Sequence, residues 1–130
     1  VSWESTETNY VAVVGPGTLF PGDGTSRRAV EVTDGIDDTL MVVEIASAGI
    51  HWMEPRDLDW GTMSFQLNEK ERPSVSSHHD PGRWSPAGPR AITVANKVVY
   101  LPPGLMPETL KALLTIAGGE KVERREWDLR

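Results

Sequence analysis

The chain of 130 residues contains no cysteine, so disulfide bonds and thiolate metal sites are excluded. The absence of cysteine says little about the compartment in which the protein works. No apolar run approaches the roughly 18 residues of a membrane-spanning helix, so we expect no span within the chain. The first residue is Val1 and no signal-like segment follows it, which indicates a processed chain or an excised soluble part.

Positive charge is also scarce. The chain has 13 lysine and arginine residues against 19 aspartate and glutamate residues, which gives a net charge of −6. Binding to a phosphate backbone needs clustered cations, so we expect no nucleic-acid partner.

Catalytic sequence motifs are missing as well. The chain has no Gly-x-Ser-x-Gly element of the kind that carries a hydrolase nucleophile. Gly15-Pro16-Gly17 lacks the lysine and the following helix of a phosphate-binding loop. We therefore expect a protein that is not an enzyme and that has no catalytic residues.

Residues that form turns are abundant, with 12 glycines and 10 prolines. This density predicts many turns and short elements. The length is that of one ordinary domain, and 38% of the residues are hydrophobic, which is enough for a core. We expect a single globular domain over 1–130, with a long exposed loop at 68–90 and a charged, solvated tail at 121–130.

Strands are predicted where apolar residues alternate with polar ones or run together. The apolar run 39–46 indicates burial on both faces, and hence a central strand. The segment 91–101 predicts a hairpin, because Asn96 can adopt the left-handed conformation of a tight turn. Further short strands are predicted at 10–14, 29–33, 50–53 and 63–67.

One helix is predicted, at 107–117. Pro107 suits its first turn, and Gly118 and Gly119 provide the expected stop. The apolar positions that recur at helical spacing are Leu110, Leu113, Leu114 and Ala117. The sequence therefore predicts an α+β fold, an antiparallel β-sheet with long loops and one C-terminal amphipathic helix packed on it.

Glu44 interrupts the apolar run 39–46. A buried carboxylate needs a partner, and the candidates are Arg56, Arg90 and backbone donors near Trp52. No second conspicuous carboxylate accompanies Glu44, so we expect a structural ion pair here rather than a catalytic acid.

The tripeptide His78-His79-Asp80 contains residue types that bind zinc or nickel. Adjacent histidines in an extended chain point to opposite faces, so both cannot easily bind one ion. A third ligand would have to come from distant loops, from His51, Glu54 or Asp57. We therefore expect an exposed polar loop here rather than a metal site.

Asp34, Asp37 and Asp38 form an acidic cluster beside Gly35. Calcium favours several carboxylates on a flexible loop, so these aspartates are candidate calcium ligands, with Asp23 as a source of one more oxygen. Their spacing is not that of an EF-hand loop. The alternative, without any cofactor, is a tight turn followed by a charged entry into the next strand.

Five tryptophans are many for a chain of this length. Exposed tryptophan can stack on sugars or contact partners, and the candidate ligand-binding residues are Trp52, Trp60 and Trp84. The alternative is that these side chains anchor the core or the loops, because they are scattered along the chain.

Several short motifs follow one another in a distinctive order. Those of the first half are Thr8-Asn9-Tyr10, Val14-Gly15-Pro16-Gly17-Thr18, Thr33-Asp34-Gly35 with Thr39, Val42-Val43-Glu44, Trp52, Glu54-Pro55 and Asp57-Leu58. Those of the second half are Val98-Val99-Tyr100-Leu101 and Ala117-Gly118-Gly119-Glu120. In this order the chain resembles, over residues 8–122, the large paralogous family of planctomycete prepilin-like proteins, whose function is unknown.

The chain departs from the family pattern in two places. The family usually has Asp-Gly-Thr-Ser-Asn-Thr where residues 34–39 of this chain are Asp-Gly-Ile-Asp-Asp-Thr. The family also has a histidine nine residues before an Asp-Gly hairpin turn, whereas fifteen residues separate His79 from Ala95 here. The departures are consistent with a diverged paralogue in which Asn96 serves the hairpin turn.

The resemblance implies the globular head of a pseudopilin-like cell-envelope protein, located outside the cytoplasm. A long N-terminal helix, absent from this chain, would anchor in the membrane and pack in a filament. The head would act in assembly or in contacts with protein partners, including self-assembly into a filament. Some pseudopilin heads use calcium to fix a loop. The family has also been labelled as solute-binding, so the alternative function is a small-solute or carbohydrate-binding module that uses exposed tryptophans.

Overall fold

The computed structural model of the chain describes residues 6–46, 48–77 and 88–118. Within these ranges the predicted α+β fold is confirmed: the chain forms a four-stranded antiparallel sheet, a two-stranded sheet and one α-helix. The predictions for His78, His79, Asp80, Trp84 and the tail 121–130 lie outside the described residues.

The strands are short. They are β1 (Tyr10–Val11), β2 (Val13–Val14), β3 (Leu40–Glu44), β4 (Leu58–Asp59), β5 (Arg90–Thr93) and β6 (Val98–Tyr100), followed by the helix α1 (Pro107–Leu114). The larger sheet has the order β1-β3-β5-β6, with every neighbouring pair antiparallel. The central strand predicted at 39–46 is therefore confirmed, because β3 lies between β1 and β5.

The hairpin predicted at 91–101 is confirmed by the pairing of β5 with β6. Asn96 has a φ angle of 66° and thus adopts the left-handed conformation that the tight turn requires. The backbone N–H of Asn96 donates to the carbonyl of Thr93 at 2.9 Å, and the N–H of Lys97 donates to the Thr93 hydroxyl at 3.2 Å. The Thr93 side chain therefore helps to close the turn.

The strand predicted at 10–14 is divided at Ala12. The N–H of Ala12 donates to Oδ1 of Asp57 at 3.0 Å, and its carbonyl accepts the N–H of Leu58 at 3.1 Å. These bonds direct β2 away from the larger sheet and pair it in parallel with β4. One predicted strand is thus two strands in different sheets.

The strand predicted at 29–33 is wrong, because a short 3-10 helix, Ala29–Glu31, occupies this segment. The Glu31 carboxylate accepts the backbone N–H of Arg28 and closes a tight turn. The Val30 side chain is 74% exposed, whereas Val32 is buried. The alternating valines therefore do not form one face of a strand.

The strands predicted at 50–53 and 63–67 are also wrong. In the first segment a single bridge joins His51 to Glu7 before the chain turns. In the second, a single bridge joins Ser64 to Ser74. Both segments bury apolar side chains without forming a continuous ladder.

The amphipathic helix is confirmed, with Leu110, Leu113 and Leu114 buried as predicted. Its buried side faces β3. The helix has eight residues, and no helix in the described ranges is both long and apolar enough to cross a membrane.

The end of α1 differs from the prediction, because the helix stops at Leu114 rather than at 117. Thr115 already has an extended backbone. The N–H of Ile116 donates to the carbonyl of Gly17 at 3.0 Å, so the chain leaves the helix to pair with an earlier turn. Ala117 is consequently exposed, and the predicted stop at the glycines that follow it is wrong.

One continuous core joins the larger sheet to the loops. In the sheet, Val43 lies opposite both Val11 and Ala91, and all three side chains are buried, with α1 packed against β3. The core continues into the loops through Leu58 and Val75, which are also buried. The opposite face of the sheet carries Tyr10, Glu44, Arg90 and Tyr100 in one row across its strands.

Candidate functional site

An exposed apolar pair, Trp52 and Met53, lies at the tip of a turn. The two side chains are 66% and 68% exposed. Among the described residues, they are the only sequence neighbours whose large apolar side chains are both exposed. Exposed apolar side chains that occur singly are ordinary, whereas an exposed apolar patch marks a contact surface.

The base of this turn is fastened to the N-terminal segment. The N–H of Thr8 donates to the carbonyl of Ile50 at 2.8 Å, and the N–H of Trp52 donates to the carbonyl of Thr6 at 2.9 Å. The Ile50 side chain is buried in the core. The turn thus rises from the single bridge between Glu7 and His51, next to the buried Ile50.

The interior of the turn is closed by His51 and Glu54. The His51 carbonyl accepts the N–H of Glu54 at 2.8 Å, and Nδ1 of His51 accepts the N–H of Met53 at 3.1 Å. In return, the N–H of His51 donates to Oε1 of Glu54 at 3.3 Å. The backbone of the apolar tip is therefore held on both sides by its own neighbours.

Arg56 closes the far side of the turn. Its Nε lies 2.6 Å from Oε2 of Glu54, and its Nη2 donates to the carbonyl of Gly49 at 3.2 Å. The His51 ring stacks on Trp52, with a centroid separation of 5.9 Å and an interplanar angle of 24°. We name residues 51–56 the tryptophan turn, and its hydrogen bonds fix the backbone that carries the exposed indole.

A groove of about 690 Å³ opens beside the tryptophan turn. The residues that flank the turn on both sides line it, since Ala48 and Ile50 precede the turn and Asp57 and Leu58 follow it. The segment 68–77, without Val75, forms much of the remaining wall, and Ile45, Ala46, Asp59 and Thr62 complete the lining. Arg56, the last residue of the turn, also lines the groove, so the base of the turn borders it.

The groove combines apolar side chains with charges of both signs. Ile45, Ile50 and Leu58 are buried core residues that also line it. The charged lining residues are Arg56, Lys70 and Arg72, together with Asp57, Asp59, Glu69 and Glu71. Charges of both signs along the lining favour neither a strongly anionic nor a strongly cationic ligand.

Trp60 has a different role from Trp52. It packs against the core and meets Phe65 edge to face, with centroids 4.6 Å apart and an angle of 65° between the rings. A Cβ atom on Gly15 would lie 2.4 Å from Cβ of Trp60, so the strand end and the tryptophan are in close contact. Of the two predicted ligand-binding tryptophans in the described chain, Trp52 alone offers a widely exposed ring.

The candidate calcium ligands lie on the predicted turn and have protein partners. Oδ2 of Asp34 accepts the N–H of Gly118 at 2.8 Å, and Oδ1 of Asp37 lies 2.9 Å from Nζ of Lys97. Thr39 donates its hydroxyl proton to the Gly35 carbonyl at 3.0 Å. Within residues 6–46, 48–77 and 88–118, no group of three or more histidine or acidic side chains is placed to hold a metal ion.

Asp23, the predicted source of a further oxygen, caps its own loop. Its Oδ1 accepts both the hydroxyl and the N–H of Thr25. The hydroxyl bond first, and then the N–H bond, lower the pKa of Asp23 below its ordinary value. These bonds give the carboxylate a local structural role.

The ion pair predicted for Glu44 is confirmed with Arg90 as the partner. Oε1 of Glu44 accepts the N–H of Arg90 at 2.9 Å and lies 3.7 Å from its Nε. The Arg90 guanidinium also lies over the Tyr10 ring, 5.9 Å from the ring centroid. Burial raises the pKa of the Tyr10 phenol, and Arg90 opposes that change.

The tryptophan turn as a built unit is the part of the site that sequence reasoning missed. The sequence does indicate this turn. His51, Glu54 and Arg56 flank the apolar pair closely enough for their side chains to bond within one turn. Comparisons of the chain with protein families, with curated proteins and with solved structures find no match.

Proposed function

We propose that the chain is the non-enzymatic globular head of a pseudopilin-like cell-envelope protein, and that it acts by contacting protein partners through the tryptophan turn. The sheet and α1 form the support. The turn presents Trp52 and Met53 to the partner.

The observation that carries this proposal is the combination of exposure and fixation in the tryptophan turn. Tryptophan is among the residues that contribute most binding energy at protein interfaces. A side chain that is already held in place loses less conformational freedom when it binds. The bonds from His51, Glu54 and Arg56 fix the backbone that carries Trp52, and the His51 ring stacks on the indole.

The proposed setting rests on the ordered motifs from Thr8 to Glu120, which resemble those of prepilin-like proteins. An antiparallel sheet with a helix on one face suits the role of a head domain. The net charge of −6 favours protein partners over nucleic acid. In this proposal the protein lies outside the cytoplasm and needs no cofactor, and attachment to the membrane would use an N-terminal helix of the prepilin type.

The experiment that tests the proposal is site-specific photo-crosslinking in cells that make the full-length protein. A photoreactive phenylalanine derivative replaces Met53, and crosslinked products are identified by mass spectrometry. The matched control places the same derivative at Val30, which is 74% exposed but lies on the 3-10 helix. We expect discrete protein adducts from position 53 and none from position 30.

A second variant shows whether the indole itself is recognised. Trp52→Ala combined with the photoreactive residue at 53 should lower the adduct yield at least about tenfold, as the loss of an interface tryptophan does. Equal adducts from positions 53 and 30, or none from either, would contradict the proposal. Adducts only with cytoplasmic proteins would contradict the envelope setting.

A second candidate function is the binding of a small solute or carbohydrate in the groove. The observation in its favour is the groove volume of about 690 Å³, which lies within the range of small-ligand sites. Trp52 belongs to the turn whose Arg56 lines the groove, and its exposed ring would supply a stacking surface. Titration of purified protein with a panel of glycans and zwitterionic solutes should then give a saturable change in tryptophan fluorescence that Trp52→Phe reduces. A flat titration across the panel would remove this candidate.

A further inference from the structure

We propose that His51 makes the tryptophan turn sensitive to acid, so that protonation of its ring frees the backbone of Met53 and weakens contacts made through Trp52 and Met53. This inference rests on the proposed function, because it concerns the regulation of the same surface. The change at Met53 depends only on bonds within the turn, so it can be measured without a partner.

The backbone N–H of Met53 has an acceptor that titrates. It donates to Nδ1 of His51 at 3.1 Å, and no other acceptor among the described residues bonds to it. The neighbouring N–H groups of Trp52 and Glu54 donate instead to the backbone carbonyls of Thr6 and His51. Carbonyls do not change charge with pH, so a change in the charge of His51 acts first on the bond at Met53.

This bond determines which ring nitrogen of His51 carries the proton. A neutral imidazole has one donor nitrogen and one acceptor nitrogen, whereas an imidazolium has two donors. Because Nδ1 accepts the N–H of Met53, neutral His51 carries its proton on Nε2. A second proton goes to Nδ1, where it faces another N–H. Two donors cannot share a hydrogen bond, so either the ring turns away or the backbone at Met53 moves.

The protonated ring has carboxylates close to it. Oε1 of Glu54 accepts the N–H of His51 at 3.3 Å, and Glu7 lies opposite His51 in the bridge at the base of the turn. These two carboxylates favour a charged imidazole, whereas the Arg56 guanidinium, 2.6 Å from Glu54, opposes it. The protonated ring therefore has possible partners of its own, which gives the turn a second arrangement.

Exposure allows the solution to control the charge of His51. The side chain is exposed, and histidine changes its charge between about pH 5 and pH 8. The ring also stacks on the Trp52 indole, with 5.9 Å between the centroids. A movement of the ring or of the backbone at Met53 therefore changes the support of the indole as well.

The expected effect on binding is moderate. The turn loses one hydrogen bond, whose net contribution corresponds to a factor of about two to ten in an equilibrium constant. A surface that is fixed before binding loses less conformational freedom when it binds. We therefore expect contacts through Trp52 and Met53 to weaken about two- to tenfold on acidification.

Nuclear magnetic resonance of the purified 130-residue chain at about pH 7.5 and about pH 5.0 tests the change at Met53. At the higher pH the nitrogen shifts of the His51 ring should show a proton on Nε2 alone, and the Met53 amide should have an order parameter of about 0.85. At the lower pH both nitrogens should carry protons, and the order parameter should fall below about 0.6. The amide of Val43 in β3 serves as the control and should not change. An unchanged order parameter at Met53 while His51 gains its proton would overturn the inference, as would a neutral ring protonated on Nδ1.

Two substitutions separate the acceptor from the ring. His51→Asn replaces Nδ1 with an amide oxygen, which can accept the N–H two residues along the chain and does not titrate. Met53 should then stay ordered at both pH values. His51→Phe keeps an aromatic ring beside Trp52 but removes the acceptor, so Met53 should be mobile at both pH values. Thermal unfolding confirms that each variant is folded. A pH response that persists in His51→Asn would show that another group causes it and would overturn the inference.

Photo-crosslinking from position 53 tests the effect on a partner. The photoreactive residue keeps the backbone N–H, so the bond to His51 is retained. Cells that make the full-length protein are suspended at the same two pH values. The adduct yield should fall about two- to tenfold at the lower pH with His51 in place, and it should stay constant in His51→Asn.

The outcomes distinguish this inference from the proposed function. If adducts form equally at both pH values with His51 in place, the tip binds a partner but His51 does not regulate it, so the inference is overturned and the proposed function stands. If Met53 becomes mobile in acid but no adducts form at either pH, the proposed function fails, and regulation of partner binding fails with it.

Discussion

In the four-stranded sheet the strands are paired over successive residues, whereas in the segment 61–77 backbone hydrogen bonds to other segments occur one at a time. The sheet pairs β3 with two neighbours through consecutive residues. In the loop segment the N–H of Ser64 donates to the carbonyl of Pro73, and the N–H of Asn68 donates to the carbonyl of Val75. Each of these is a single contact between irregular stretches.

Side chains complete the hydrogen bonding that the loop segment lacks. The hydroxyl of Ser76 accepts the N–H of Ala46 at 2.8 Å, and Oδ1 of Asn68 accepts the N–H of Ser77 at 3.0 Å. Val75, between these bonds, is as fully buried as Val43 in the sheet. Complete burial therefore does not require regular structure, provided that short polar side chains satisfy the backbone.

The largest expected loss of stability is in the regular secondary structure, at Leu113. Leu113→Ala removes a buried side chain of α1 and should lower the free energy of unfolding by about 2–5 kcal/mol, measured by urea denaturation. The control Glu108→Gln, an exposed change in the first turn of the same helix, should cost less than about 1 kcal/mol. Equal losses would mean that α1 does not cover the sheet.

A smaller loss of stability is expected in the loop segment, at Val75. Val75→Ala should cost about 1–3 kcal/mol, because a fully buried side chain loses two methyl groups and leaves a cavity. Fluorescence of the tryptophans and far-ultraviolet circular dichroism should follow one shared transition in urea. Two separate transitions would show that the loops unfold on their own and do not share the core.

Substitutions of Glu44, on the polar face of the sheet, should lower the free energy of unfolding. Glu44→Ala leaves the N–H of Arg90 without its acceptor and should cost about 1–3 kcal/mol. Glu44→Gln keeps an oxygen acceptor and should cost about 1 kcal/mol or less, measured in the same way. Equal losses from the two variants, both of which remove the charge, would mean that the charge rather than the hydrogen bond matters at this position.

The smallest effect concerns the ionisation of Tyr10. Burial raises its pKa above the ordinary value of 10.0, with Arg90 acting in the opposite direction. The neutral phenol is therefore favoured in the folded protein. Its contribution to stability is complete below the unfolded pKa and is lost as the pH rises through the folded pKa. Subtracting the phenolate absorbance of Tyr10→Phe from that of wild type should give a midpoint above 10.0, and a midpoint below that value would contradict the assignment.

The sequence predicts best those elements whose apolar or turn-forming residues extend over several positions. The apolar run 39–46, the hairpin around Asn96 and the leucines of α1 each extend over several residues, and each forms as expected. The two-residue strand β4 has no periodicity to detect. Its place depends on Asp57 and Ala12, which are 45 residues apart in the chain.

The site is harder to predict for a related reason. Composition identifies Trp52 and Trp60 as candidates, but nothing in their immediate sequence separates an exposed ring from one that packs on Phe65. Exposure depends on tertiary contacts, whereas the bonds of the tryptophan turn are local. The short spacing between polar residues such as His51 and Glu54 is thus the feature of the site that could be recognised from the sequence.

The central claim is that the tryptophan turn is rigid before it meets a partner, like the sheet and unlike an ordinary loop. Nitrogen-15 relaxation of the free protein measures this directly through the amides of Trp52, Met53 and Glu54, each of which donates a hydrogen bond. The account predicts order parameters of about 0.85 for these amides, equal to those of β3. Values below about 0.6 would contradict it.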